Sequence, residues 1–267
     1  MRAAVKGFGD GIVIAKRNLI KIKRVPDLIV FSTASPIMFV LLFAYVLGSG
    51  ITIPGMNYRE FLMAGIFAQT MIFGATITGS GLAQDLQRGI VDRFRSLPMS
   101  QSAVLIGRTT SDLANNIIVI VIMSATGLLV GWRIRSSLLE AATGFVLMLA
   151  FAYALSWAMA VIGLAVRSAE VFNNASFMAV FPLTFIANTF VTTSNLPAGL
   201  KLVAEWNPVS ALVQAVRELF GNVSPQMPVP DAWPLQHPVI ATVGWIVVLL
   251  VVFVPMAMHR YKKAVSR

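Results

Sequence analysis

The 267-residue chain carries 12% charged residues, 57% hydrophobic ones and a mean hydropathy of +0.78, about half the charge of a soluble domain and the composition of an integral membrane protein. It has no cysteine and only two histidines, His237 and His259. Disulfides, zinc clusters, thiol nucleophiles and histidine triads therefore lack their raw material, which argues against metal or covalent catalysis.

From the N-terminus, Val5, Phe8, Ile12, Ala15, Leu19 and Ile22 follow helical spacing while Arg17, Lys21 and Arg24 share a basic face. Residues 1–27 are expected to form an amphipathic helix lying in the headgroup region. Gly7, Gly9 and Gly11 alternate nearby, but without a preceding strand they do not read as a phosphate loop.

A span needs about 20 residues without charge. Six intervals qualify: 28–58, 61–84, 113–132, 141–166, 171–200 and 232–259. The expectation is an all-α integral membrane protein of six transmembrane helices in one transmembrane domain over residues 1–267. The spans fall at about 28–50, 61–83, 113–132, 141–166, 171–192 and 238–258. Unbroken apolar runs over 117–121 and 247–254 do not fit the alternation of a barrel. The first interval starts too late and runs too long for a cleaved signal peptide. Pro36, Pro182 and Pro255 lie inside spans one, five and six and read as local kinks.

Sixteen Lys and Arg residues flank the spans on the side of both termini against five on the other, which places both termini in the cytoplasm. Six acidic residues fall inside and five outside, so the net charge of +10 is cytoplasmic. Orientation and anionic lipid account for it without nucleic acid.

Within span two, Met63, Phe67, Thr70 and Gly74 share a face that is apolar with one hydroxyl. Between spans two and three, QDLQRGIVDRFRSLPMS (residues 84–100) sets Leu86, Ile90, Val91, Phe94 and Leu97 on one stripe beside Asp85, Arg88, Asp92, Arg93 and Arg95. It reads as a short amphipathic helix ended by Pro98. On residues alone, a docking element and a solvated hairpin both fit.

At the start of span three, Arg108 and Asp112 are one turn apart. An unpaired Asp at the bilayer centre costs about 3 kcal/mol, so they are expected to form an interfacial ion pair. Asn115 and Asn116 are expected to bond to neighbouring helices, and the Gly127/Gly131 spacing hints at close helix contact. On span five, Phe177, Phe181 and Phe185 repeat every four residues after Asn173 and Asn174, a pattern compatible with helix packing or with a ligand path.

Beyond span five, Asn207 and Pro208 read as N-cap and first residue of a helix striped by Val209, Leu212, Val213, Val216 and Phe220 and closed by Gly221. Five prolines between 222 and 238 suggest a stiff loop. The Asn-Val-Ser triplet at Asn222 is read as chance rather than as a glycosylation acceptor.

The stretch LAQDLQRGIVDRFRSLPMSQSAVLIGR resembles the cytoplasmic signature of type-2 ABC exporter permeases, particularly the daunorubicin-resistance group of bacterial drug and lipid exporters. The similarity extends to KRNLIKIKRVPDLIVFSTASPIMFVLLFAYVLG, LSWAMAVIGLAVRSAEVFNNASFMAVFPLTFIANTFV and LPAGLKLVAEWNPVSALVQAVRELFGN, which together cover most of the chain in order.

The resemblance implies that residues 84–100 form a coupling helix seated in a cleft of a separate ATPase. Asp85, Arg88, Gly89, Asp92, Arg93, Phe94, Arg95, Leu97 and Pro98 would be the coupling residues. Spans two and five would line a cavity between two subunits, making Met63, Phe67, Thr70, Asn173, Asn174, Phe177, Phe181 and Phe185 the substrate path. Residues 193–237 would hold outer re-entrant helices.

The chain has no G-x-x-x-x-G-K-[ST] loop, so ATP and Mg are expected on the partner ATPase, present in two copies. A second permease chain, identical or different, and membrane lipids complete the implied partners.

The implied activity is ATP-driven export of amphipathic drug-like or lipid-like molecules across a bacterial cytoplasmic membrane, by a subunit with no catalytic site of its own. A polysaccharide exporter of the same fold and a self-contained secondary transporter are the alternatives. The latter calls for ionisable residues deep in the spans or an inverted repeat. A lipid-modifying enzyme would need acid, base or metal groups converging at one depth.

Overall fold

The computed structural model describes residues 26–47, 53, 55–89, 101–190, 193, 196–226 and 230–265. The expected interfacial helix, but for its last two residues, and residues 90–100 of the expected coupling helix lie outside the described residues.

The described chain is helical apart from an isolated bridge between Ile53 and Met56. Its first helix, α1 (Pro26–Leu42), continues into a π-helical turn, Phe43–Leu47. There follow α2 (Tyr58–Gln87), α3 (Gln101–Val130), α4 (Leu138–Gly163), α5 (Ala169–Phe185), the short α6 (Ala198–Glu205) and α7 (Pro208–Leu219), the single turn α8 (Trp233–Gln236), and α9 (Pro238–Val265). Among the described residues, α2, most of α3, α4, α5 and α9 are long and apolar enough to cross a membrane, and α1 with its π turn supplies a shorter apolar stretch, Ala34–Val46. The chain is thus an all-α, multi-span membrane protein.

Local chemistry explains the boundaries. The Asn57 side chain accepts from Arg59 N and caps α2. At α4, Ser137 and Glu140 form a reciprocal capping box. Ser168 caps α5, and Asn207 caps α7 with Pro208 in its first turn. The expected stop at Gly221 is present, with φ +69°, a conformation that glycine adopts without penalty.

Three boundaries depart from the sequence expectation. The helix that holds the expected third span begins at Gln101, twelve residues before 113, because Arg108 and Asp112 find partners and so do not interrupt it. The fifth helix ends at Phe185 rather than near 192, with Ile186 N still donating to Pro182 O. The proline-rich segment after Asn222 contains α8 rather than being loop throughout.

Helix α2 is the hub, touching α1, α3, α4, α5 and α7. Its broadest contact is with α4, and α9 packs on the far side of α4 and on α7. At one point of that contact the backbones meet directly: a Cβ on Gly163 would overlap the Gly79 backbone. Near the Tyr58 end of α2, Phe67, Trp132, Phe145 and Phe220 meet mostly edge to face, with centroids 4.9–6.2 Å apart, the arrangement that ring quadrupoles favour. Trp132 Nε1 donates to Asn222 Oδ1 at 2.7 Å, and Asn222 Nδ2 donates to Arg133 O. Asn222 is buried, so it ties the segment after α7 to the end of α3.

Of the two expected contact glycines on α3, Gly127 packs on Met63 and Trp132, whereas Gly131 has φ +101° and terminates the helix.

Candidate functional site

A cavity of about 480 Å³ lies among α1, α2, α3 and α5. On α2 its wall is the stripe Ile66, Thr70, Phe73 and Ile77, with Gln69 and Gly74 alongside. α3 contributes Asn115, Asn116 and Val119, α5 contributes Phe177, Phe181 and Phe185, and α1 contributes Ser35, Pro36 and Phe39. No charged side chain lines it.

The α5 ladder belongs to a longer aromatic run. Ring centroids step from Phe177 to Phe181 (5.0 Å), Phe185 (4.1 Å), Phe190 (5.2 Å), Phe43 (4.4 Å) and Phe39 (5.8 Å). The run thus joins α5 to the π turn of α1, and both its ends border the cavity.

The residues anticipated for the substrate path divide. Thr70, Phe177, Phe181 and Phe185 are brought together on the wall. Met63 and Phe67 are buried in the core instead, Phe67 against Trp132. Phe67 lies about 100° round α2 from Ile66, which turns it toward the aromatic cluster rather than the cavity. Asn173 and Asn174 sit exposed in the first turns of α5 and do not line the cavity. Asn115 and Asn116 make no bond to a neighbouring helix among the described residues and face the cavity. Gln69, Phe73 and Phe39 were missed from sequence. The signal for Phe73 was the 66, 70, 73, 77 stripe, offset from the face chosen, and Gln69 flanks that stripe.

Below the cavity lies a charge cluster. Arg108 Nε is 3.7 Å from Asp112 Oδ2, as the spacing led one to expect, and its Nη1 is 3.8 Å from Asp85 Oδ2. The Thr78 hydroxyl donates to Asp112 Oδ2. Arg108 Nη2 also reaches Ile77 O at 3.5 Å. The guanidinium lies across Gly81, where a Cβ would overlap it. Arg108 thus stands between the last turn of α2, where Asp85 opens the 84–100 stretch, and Asp112, one turn from Asn116. Asp85, Arg88 and Gly89 are the anticipated coupling residues within the described chain. Asp85 lies in α2, Arg88 caps it, and Gly89 takes φ +64°. Asp92, Arg93, Phe94, Arg95, Leu97 and Pro98 lie outside the described residues.

A sequence profile of the ABC-2 type transporter family matches residues 11–220. The chain belongs to that family. The permease is also 26% identical over 246 residues to the daunorubicin resistance ABC transporter permease protein DrrB1 of Streptomyces coeruleorubidus, covering 92% of this chain and 83% of the relative. It is therefore a membrane permease subunit of an ABC-type transporter, without ATPase activity of its own.

At the end of the permease opposite Asp85, Arg135 donates three hydrogen bonds of 2.8–3.1 Å to the Glu60 carboxylate, which raises the Arg135 pKa. Arg135 is largely exposed, so the pair adds little stability. Arg59 donates to Val130 O and lies over the Tyr45 ring.

Arg217, one of the five basic residues counted on the side away from the termini, is buried. It stacks 3.5 Å from the Phe61 ring centroid and donates to Phe61 O (3.1 Å), Asn188 O (2.7 Å) and Thr189 O (3.1 Å). It fastens α7 to α2 and to the segment leaving α5.

Proposed function

We propose that the permease exports amphipathic drug-like or lipid-like molecules from the cytoplasm or inner leaflet, as one of two permease chains driven by a separate pair of ATPase subunits. In this reading α1 is a sixth span, both termini are cytoplasmic, and residues 84–100 dock on the ATPase. The observation that carries it is the uncharged, phenylalanine-walled cavity among α1, α2, α3 and α5, a lining suited to aromatic and lipid-like ligands. The relative's name, which speaks of daunorubicin resistance, supports the same substrate class.

The charge cluster supports the coupling reading. A displacement of residues 84–100 pulls on Asp85, hence on Arg108, and so on Asp112 and Thr78 one turn below the cavity. Phe94 and Leu97 provide apolar anchors for a cleft, and the arginines provide directional charge.

The test is co-expression with candidate ATPase subunits, comparing wild type with Arg93→Glu/Phe94→Ala. The expected result is a complex that hydrolyses ATP and that the double substitution uncouples or dissociates. A functional complex indifferent to both substitutions, or failure of every ATPase to associate, refutes the docking assignment.

A further inference from the structure

The cavity carries one feature that neither packing nor coupling explains. Gln69 is 6% exposed and Asn116 4% exposed, and Asn115 is half-buried beside them. All three line the cavity, and no hydrogen bond to any of the three carboxamides is present among the described residues. Buried amides are ordinarily paired, and in a bilayer no bulk water replaces a missing partner.

Asn116 is, moreover, seated by a specific vacancy. Gly74 has no Cβ, and one placed there would overlap Asn116 Oδ1. The fold makes room for this amide without bonding it. Thr78, by contrast, spends its hydroxyl on Asp112, and Thr76 donates to Phe73 O. The nearest ionised groups, Arg108, Asp112 and Asp85, face one another rather than the cavity.

We propose that Gln69, Asn115 and Asn116 form a polar subsite that selects uncharged aromatic ligands bearing both a hydrogen-bond donor and an acceptor on the ring system. A carboxamide offers an N–H donor and a carbonyl acceptor side by side, so it pairs with a ligand edge that presents the complement. The phenylalanine run opposite supplies stacking surface. With no carboxylate in the lining, a cation finds no counter-ion there to offset the loss of its hydration. This inference rests on the cavity being the substrate site and adds which chemistry it accepts.

The test uses the full-length permease in lipid nanodiscs and three tricyclic probes, with binding corrected for partition into empty nanodiscs. Acridone is neutral with an N–H and a C=O, anthracene has neither, and 9-aminoacridine is cationic at neutral pH. Wild type is expected to bind acridone about tenfold more tightly than anthracene, and 9-aminoacridine no more tightly than anthracene, two amide bonds at about 1 kcal/mol each making tenfold attainable. Gln69→Met and Asn116→Leu, each close in shape, are expected to weaken acridone three- to tenfold without weakening anthracene, which meets a more apolar wall. Anthracene binding at least as tight as in wild type also shows that the cavity is intact in each variant.

Equal binding of acridone and anthracene by wild type overturns the amide subsite and leaves the cavity as a ligand site. Acridone preference that survives both substitutions overturns it as well. Failure of all three probes to bind above the empty nanodisc overturns the subsite together with the cavity reading on which it rests.

Discussion

Replacing Arg217 by methionine removes the guanidinium but keeps an apolar stem of similar reach. Asn188 O and Thr189 O then lose the bonds of 2.7 and 3.1 Å that Arg217 gives them. Phe61 O lies inside α2, where the helical ladder already serves it, so its loss counts little. Hydrogen bonds to a charged donor contribute about 1.5–3 kcal/mol each, and a desolvated cation–π contact up to about 2 kcal/mol. Removing the buried charge recovers part of its desolvation cost, so a net loss of about 3–4 kcal/mol is expected.

For a chain of this size that corresponds to a fall in the thermal midpoint of roughly 10 °C. The assay is thermal unfolding of purified permease in one detergent, followed by tryptophan fluorescence. Arg217→Lys keeps the charge but not the planar fork and should fall between wild type and Arg217→Met. A methionine variant within about 2 °C of wild type, or one more stable, refutes the view that Arg217 fastens α7 to α2.

At the α2–α4 crossing, Gly163→Ala drives a methyl into the Gly79 backbone and should cost about 1–3 kcal/mol. Gly244→Ala in α9, with nothing within 4 Å, should be neutral or stabilising by up to about 1 kcal/mol, and paired thermal scans compare them. Trp132→Phe leaves Asn222 Oδ1 without its 2.7 Å donor and should lose about 1–3 kcal/mol in the same scans, and Asn222→Leu, which also takes the donor from Arg133 O, should lose at least as much.

Lys201 lies 3.1 Å from Asp231 Oδ2 and 3.6 Å from Glu205 Oε1, and the bond to Asp231, then the charges of Glu205 and Asp231, raise its pKa above the ordinary value near 10.5. Its contribution is therefore present in full below about pH 10.5 and lost as pH rises through the higher folded-state value. The midpoint difference between wild type and Asp231→Asn should vanish over that window. A difference that persists above it assigns the effect to something other than Lys201.

Much of the fold was legible because single residues dictated it. Asn207, Pro208 and Gly221 bracket α7, and its stripe Val209, Leu212, Val213, Val216 and Phe220 is wholly buried. What failed was inference about neighbours. Counting charge-free residues truncated α3, since a charge satisfied across space by Asp85 or Thr78 looks, in one dimension, like an interruption. The same blindness hid the burial of Arg217.

Within the cavity, the spacing of Phe177, Phe181 and Phe185 placed a whole wall, because one exposed side of a helix suffices to define it. α2 is enclosed on nearly every side, so its composition does not mark which flank faces the void, and Met63 and Phe67 were taken for Ile66 and Phe73. The amides of Asn115 and Asn116 were assigned bonds because buried polar groups usually have them.

The bare crossing of Gly79 and Gly163 has a mechanical consequence. Helices that meet through side chains interlock, and turning one against the other means repacking them. At Gly79 and Gly163 the two backbones touch and share a bearing at that point, while Phe67 and Phe145 interlock nearer the Tyr58 end. On α2 the bearing stands eight residues from Gln87 and twenty-one from Tyr58, arms of about 12 and 32 Å at 1.5 Å per residue. Were α2 to pivot at that point as a rigid rod, a swing at the Gln87 end would return at the Tyr58 end reversed and more than doubled. Whatever Arg217 binds to Phe61 rides on the longer arm: α7, and the turn that follows α5.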